Sequence, residues 1–583
     1  MQFNLKHIFV FIGFTLIVFG CQPNLGRIHQ RPGAPTEKHT IERLQLTPHR
    51  LTGGNAQAYY YFMTAQKKQK EGELDEARWY LEKAIQYDPA SIMLKLELAD
   101  IYLGLKQNDK ALGLLHEVLA EQPDHVEALV LAGQIYMQKG LLPEARMLFE
   151  KALMFDPIDA RIYIQLGRIY WDQNDYANAA RVFRKMTENL PESSTAFYFS
   201  GKALVAQGKY DQAEKAFIRC LELEPSMEVP RFELIDIYKA KNQLDKAIDI
   251  YLSILDMNPD SVQAAMEVAV VYREMGKPEL GVPYLKQLGR RCENESKILT
   301  HLFENYIEIK QYDKAAWIIE NMLLGAGNNP ELHYLAGVAY DGLKQTSSAL
   351  SHLSKVSKGA HFYKNAVVHR TMLLRDLGQT SQAIEVILEA LSYDPYEADY
   401  YLYLGVFYEE LGQYKKAIEA LQQGVALDKT NDKLLFRLGV IYDKAGNKNE
   451  AIKAIQQVLE IKPENADALN YLGYTYADLG IHLDEAEALI QNALKIKPND
   501  GYITDSLAWV FYKKGQYQEA LKWLRRAVEL VPDDATILEH LGDVYLKLDI
   551  REKALKYYNR SLEVKSDDRR LLEEKIRKLN DKL

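Results

Sequence analysis

Cysteine is nearly absent. The chain has three, Cys21, Cys220 and Cys292, in 583 residues. Three cannot build a disulfide framework. Proline is also scarce, at 19 residues. Positive charge is outweighed: 72 Lys and Arg stand against 81 Asp and Glu, a formal net charge of −9. Gripping a phosphate backbone needs a basic footprint, so nucleic-acid binding is not expected as the main activity. Long apolar runs are missing except at the start, which excludes a polytopic membrane protein. The chemical signatures are missing as well. The sequence has no GK[ST] phosphate loop, no HExxH, no CxxC and no GxSxG. What is plentiful is tyrosine, at 38 residues, in a chain that is 47% hydrophobic and 26% charged. Those are values of a folded protein, and they lean towards a helical solenoid.

The apolar run, Ile8–Gly20, is broken only by Thr15. Thirteen residues are too few to cross a bilayer, which takes about 20. They suit the core of a secretory signal peptide. Val18-Phe19-Gly20-Cys21 resembles the bacterial lipobox, in which a small residue precedes a cysteine that is lipidated. The resemblance implies a signal peptide over residues 1–20 and a lipid anchor on Cys21. It places the mature protein in the bacterial envelope, and Gln22 after the cysteine leans towards the outer membrane. Residues 21–57 carry four prolines and four glycines without helical or alternating period, and read as a linker.

Prolines recur at Pro89, Pro123, Pro157, Pro191, Pro225 and Pro259, 34 residues apart, and the register resumes at Pro395 and Pro463. Twelve residues before each slot stands a small residue, Ala77, Ala111, Ala145 and so on to Ala554, alanine in all but one unit. A second small column includes Ala99, Gly133, Gly167, Gly405, Gly439, Gly473 and Gly542, with tyrosine three residues later in most units. Each unit holds two amphipathic runs at helical spacing, separated by a turn. Small residues let two helices approach, bulky ones fill the groove against the next unit, and proline ends the second helix.

The pattern is that of the tetratricopeptide repeat (TPR). The resemblance implies an all-α, right-handed superhelical solenoid of about fifteen helix pairs over 58–566, with a capping helix at 567–583. Units seven to ten, about residues 262–397, depart most. Ile235, Phe303 and Thr371 replace the small residue, and Glu293 and Gly327 take proline slots. One extra residue falls between Gly480 and Asp484.

Fifteen repeats leave no room for a catalytic domain, so no enzyme, no cofactor, no metal and no small-molecule substrate is expected. His116 and His125 lack a ligand spacing. Cys220 occupies a packing column and Cys292 a helix end, so both read as structural. Partners should be other proteins, bound on the concave surface. The columns of the first helix that face ligand in TPR proteins fall here on Ile164, Arg168, Trp171, Tyr198, Lys202, Phe232, Phe436, Val440, Tyr474, Trp509 and Tyr512. Aromatics at such positions are the material of hot spots. Arg161, Arg168 and Lys202 form a basic step that suits a carboxylate. The Lys, Asn and Arg set that clamps chaperone tails is not found. Lipobox, linker and repeat number together resemble outer-membrane TPR lipoproteins that act as adaptors for processing proteases. Pilus, polysaccharide-export and outer-membrane assembly lipoproteins share the same features.

Overall fold

The computed structural model describes residues 56–565 and 569–580. The expected signal peptide and Cys21 lie outside them. Among the described residues there are only helices, turns and bends. Fifteen helix pairs run from Ala56–Lys70 with Leu74–Tyr87 to Ala535–Lys547 with Arg551–Val564, followed by a single helix, Arg570–Asn580. No described helix is long and apolar enough to cross a membrane. Two compact units divide at Leu288 and Gly289, inside the helix Pro278–Arg291.

The sequence columns explain the pairing. In the first unit, a Cβ added at Gly167 would stand 2.1 Å from the Phe183 ring, and one at Gly133 2.8 Å from Phe149. In the second unit, one at Gly439 would stand 2.7 Å from Ile455 and one at Gly542 2.5 Å from Tyr558. The absent side chain on the first helix is therefore the seat of a large one on the second. Phe149, Ile455 and Tyr558 are fully buried as a result. Repeat 7 inverts the arrangement: Ala269 fills the seat, and the facing second-helix position becomes Gly281.

Most first helices start on side-chain caps. Ser91, Asp159, Ser193, Asn431, Asn465, Asp500 and Asp534 accept backbone N–H bonds from their first turns. The hairpin between the two helices contains a residue at positive φ in every pair. It is glycine at Gly140 and Gly446, but a lysine at Lys106, Lys310 and Lys344. The extra residue of repeat 13 is taken up here, with both Gly480 and His482 left-handed.

Irregularity concentrates where the columns fail. Phe303 cannot fit a seat made for glycine. The first helix of repeat 8, Ser296–Leu302, passes into a π-turn over Phe303–Ile307, closed by the Glu308 N–H on the Phe303 carbonyl at 2.9 Å. Phe303 swings to a half-buried position while Tyr306 and Ile307 stay buried. The second helix of repeat 9, Thr346–Leu353, stops early.

That short helix carries a buried polar cluster. His352 faces His333 across 3.1 Å (Nδ1 to Nδ1), and its Nε2 lies 2.9 Å from Glu320 Oε1, which also accepts from the Tyr340 hydroxyl at 2.9 Å. Burial, then the neighbouring His352, pushes His333 down to about 4, and burial lowers His352 too. Both imidazoles are therefore neutral in the fold. A depressed pKa stabilises above the ordinary value of about 6.5, and that stabilisation is lost as pH falls towards 4. We expect acidification from pH 7 to 4.5 to cost about 2 kcal/mol more in the wild type than in His333→Gln, read by urea denaturation. Equal pH dependence in the two proteins would exclude this role.

The terminal helix closes the second unit's core. Leu572 and Leu579 are buried in it, and Lys575 Nζ reaches Glu539 and Asp543 at 3.0 and 2.7 Å. Cys220 and Cys292 are buried free thiols, each pushed up to about 11, chiefly by burial. Both behave as packing residues.

Candidate functional site

The candidate residues fall on the first helices of their repeats. They divide between the two units.

In the first unit the aromatics are half-buried and lean on the core. Ile164 and Trp171 pack on one cluster, with Trp171 edge-on to Tyr176 at 5.2 Å. Tyr198 and Phe232 pack on the next, Tyr198 lying 6.2 Å from Phe217. The expected basic step is already partnered. Arg161 Nη2 lies 2.8 Å from Asp159 and 3.1 Å from Glu127. Lys202 Nζ lies 2.9 Å from Glu233. Arg168 Nε is 3.7 Å from Asp172, and both side chains are exposed. Arg161 and Lys202 thus serve their own and adjacent repeats as ion-pair members before any ligand arrives. The Arg168–Asp172 pair, exposed on both sides, contributes little to stability, about 0–1 kcal/mol, whereas the Glu233 carboxylate that holds Lys202 is buried.

The second unit holds a denser constellation. Trp509 lies parallel to Tyr512 at 4.6 Å and parallel to His540 at 4.1 Å. His540 Nδ1 is 2.9 Å from Asp505 Oδ1, and both residues are over nine-tenths buried. Burial opposes charge on His540, but the Asp505 carboxylate outweighs it and holds the imidazole above its ordinary pKa. Lys513 Nζ sits over the Trp509 ring at 5.3 Å. One repeat earlier, Tyr474 is half-buried, and burial, with Asp505, Asp478 and Asp443 near it, raises its pKa. Tyr471 donates to Asp443 at 2.7 Å and meets Phe436 edge-on at 5.9 Å. Val440 is buried. Arg437 Nη2 lies 2.8 Å from Glu409 Oε2. Burial pushes Tyr512 up to about 12, with Asp543 adding.

The sequence columns locate Phe436, Tyr474, Trp509 and Tyr512 on this face. Asp505, His540, Asn470, Asp443 and Arg437 share it and were not singled out. A signal for one pair was present: Asp505 and His540 stand one repeat apart, as do Glu127 and Arg161. Among the described residues no group of three His, Cys, Asp or Glu is arranged to hold a metal.

Profiles described as tetratricopeptide repeat or TPR repeat match residues 69–116, 204–270 and 410–467; 96–160, 164–226 and 372–432; 510–549; and 535–568. The chain belongs to the tetratricopeptide repeat family. A profile described as anaphase-promoting complex subunit 5 matches this TPR protein over 333–399, within the array. The human protein O-mannosyl-transferase TMTC3 is 27% identical over 158 residues, which is 27% of this TPR chain and 16% of that protein. The match thus spans about a sixth of the relative's length. Among solved structures, Naa15/Naa10 bound to HypK-THB is 12% identical, covering 90% of this chain and 96% of that one at a TM-score of 0.40. A MamA protein is 27% identical over 30% of this chain and 96% of its own, at 0.27. PilF of Pseudomonas aeruginosa is 19% identical over 32% and 84%, at 0.28. TPR repeats are a protein-interaction fold, and the repeats here form such a scaffold.

Proposed function

We propose that this TPR protein is a non-catalytic scaffold, lipid-anchored through Cys21 at the bacterial outer membrane and facing the periplasm. We further propose that it serves as an adaptor that brings a processing protease to its substrates. The observation that carries the scaffold reading is the half-buried aromatics on the first helices of each unit, Trp171, Tyr198 and Phe232 in the first and Phe436, Tyr474, Trp509 and Tyr512 in the second. Rings held by packing but left partly open lose little entropy on binding. The envelope location rests on the Val18–Cys21 sequence and the apolar run before it.

Affinity capture of the detergent-solubilised protein from its own envelope tests the reading. A processing protease and cell-wall hydrolases should co-purify with the wild type and be lost with Trp171→Ala/Trp509→Ala. Pilus or polysaccharide-export components in their place would sink the adaptor role. Labelled palmitate should enter the wild type and not Cys21→Ser. Equal labelling would remove the anchor.

A further inference from the structure

The two ends of the repeat array are finished differently. At the C-terminal end the helix Arg570–Asn580 buries Leu572 and Leu579 against the last repeat. At the N-terminal end the first helix, Ala56–Lys70, turns Tyr59, Tyr60 and Met63 outward, 56%, 64% and 46% exposed. Their spacing puts them on one stripe. A terminal repeat stays soluble by ending on a polar face, and this one does not. The rings continue onto the second helix. Tyr60 meets Tyr61 at 5.5 Å, and Tyr61 meets Trp79 edge-on at 6.4 Å and stacks on Tyr87 at 5.6 Å. Trp79 and Tyr87 are exposed too. Of the eight exposed aromatics among the described residues, repeat 1 holds four, so the period of the array does not account for them. Contiguous exposed apolar surface of this kind marks a contact.

Chemistry and place in the chain together name what covers it. Residues 56–66 carry no charge, whereas Lys67, Lys70, Glu71, Glu73 and Glu76 stand at the hairpin, about 15 Å further along the helix axis. One end of the pair is apolar and the other ionic. Tyrosine and tryptophan join an apolar ring to a polar tip, and such rings gather where hydrocarbon meets headgroups. Lys83, with Nζ 5.7 Å from the centre of the Trp79 ring, adds a cation for lipid phosphate. Residues 22–55 separate Cys21 from this helix, so repeat 1 is the part of the fold nearest along the chain to the proposed anchor. A surface tethered so close meets the bilayer at high effective concentration, and a few rings suffice. We propose that Tyr59, Tyr60, Met63, Trp79 and Tyr87 seat repeat 1 in the headgroup layer of a phospholipid membrane, with the charged hairpin left in water. This rests on the Cys21 anchor reading and adds to it: acyl chains hold the protein at the membrane, and the aromatic end fixes which side of repeat 1 touches it.

The test reconstitutes the full-length protein into vesicles of phosphatidylethanolamine and phosphatidylglycerol, with or without phosphatidylcholine brominated high on its acyl chains. Bromine quenches only indoles that enter the lipid. Of the tryptophans at 79, 171, 317, 509 and 523, only Trp79 should be quenched. Brominated lipid should therefore dim the wild type and leave Trp79→Phe unchanged. Tyr59→Ser/Tyr60→Ser/Met63→Ser keeps the reporter and alters only outward side chains. It should float with the vesicles as the wild type does, keep its melting temperature and lose the quenching. Wild-type protein that floats but is not quenched would leave the anchor standing and overturn the seat. Equal quenching in Trp79→Phe would overturn it as well, as would quenching retained in the triple variant. Quenching of Trp79 without palmitate labelling would remove the anchor and keep the seat. Protein that neither floats nor is quenched would remove both. Unquenched Trp79 together with a dimer that the triple variant abolishes, read by sedimentation velocity, would give the face to a second copy and overturn the proposal.

Discussion

Replacing Gly289 by alanine should destabilise the second unit by about 3 kcal/mol. The added Cβ would stand 2.0 Å from the carbonyl oxygen of Met322. Over most other packed glycines of the array, such as Gly167 and Gly405, the nearest atom belongs to a side chain that can rotate. Here it is backbone, in the middle of Tyr312–Ala326, so the two helices must part. Met322 is fully buried, and the Cys292 thiol donates to the Gly289 carbonyl at 3.0 Å. Parting the helices therefore opens a packed core as well. Gly113 is the matched control. It lies inside a helix, a Cβ there meets nothing within 4 Å, and alanine should stabilise by about 0.5–1 kcal/mol. Urea midpoints of the two variants should move in opposite directions. Equal midpoints would contradict the close approach at Gly289.

Asp505→Ala should cost about 3 kcal/mol at pH 6, because it strands His540 in a site closed to water. The pH profile carries the diagnosis. The folded pKa of His540 is raised, with Asp505 as the main favourable neighbour and Asp543 and Glu539 adding to it. A raised pKa contributes stability that is complete below the unfolded value of about 6.5 and fades as pH rises through the folded one. The wild type should thus lose this contribution on the alkaline side, and Asp505→Ala should not. His333 acts in the opposite sense, so the two histidines narrow the pH range of greatest stability from both sides. A cycle with Asp505→Ala, His540→Phe and the double variant isolates the pair. Coupling below about 0.5 kcal/mol at pH 6 would show that the pair does not hold the repeats together.

The repeat was legible because one physical requirement is imposed in most of the fifteen repeats. A large residue on the second helix needs a vacant seat on the first, so Gly167 and Phe183 recur as a pair with fixed spacing. Where the column broke, at Phe303, the sequence marked a fault but not its form. Whether a helix answers with a bend, a shift or a π-turn depends on how the next helix packs. Of the candidate face, aromatics were legible because their column is fixed by the period. The ion pairs were not. Arg161 looks like a free cation until Glu127, one period earlier, is laid beside it. Asp505 looks like solvated charge until His540 covers it. Burial of a carboxylate is a property of its neighbours, and single columns do not carry it.

Six hairpins hold a left-handed residue other than glycine where most hold glycine: Lys106, Asn174, Asn242, Lys310, Lys344 and Asp549. An L-residue in that conformation is held at a cost of about 1–2 kcal/mol. These tips lie off the columns that form the candidate face. Heat tolerance in this lineage can therefore rise or fall by substitutions at the tips while the recognition row is left alone, and the row can diverge towards new partners without the tips changing. Endurance and specificity are written at separate addresses in every repeat, and selection can edit one without disturbing the other.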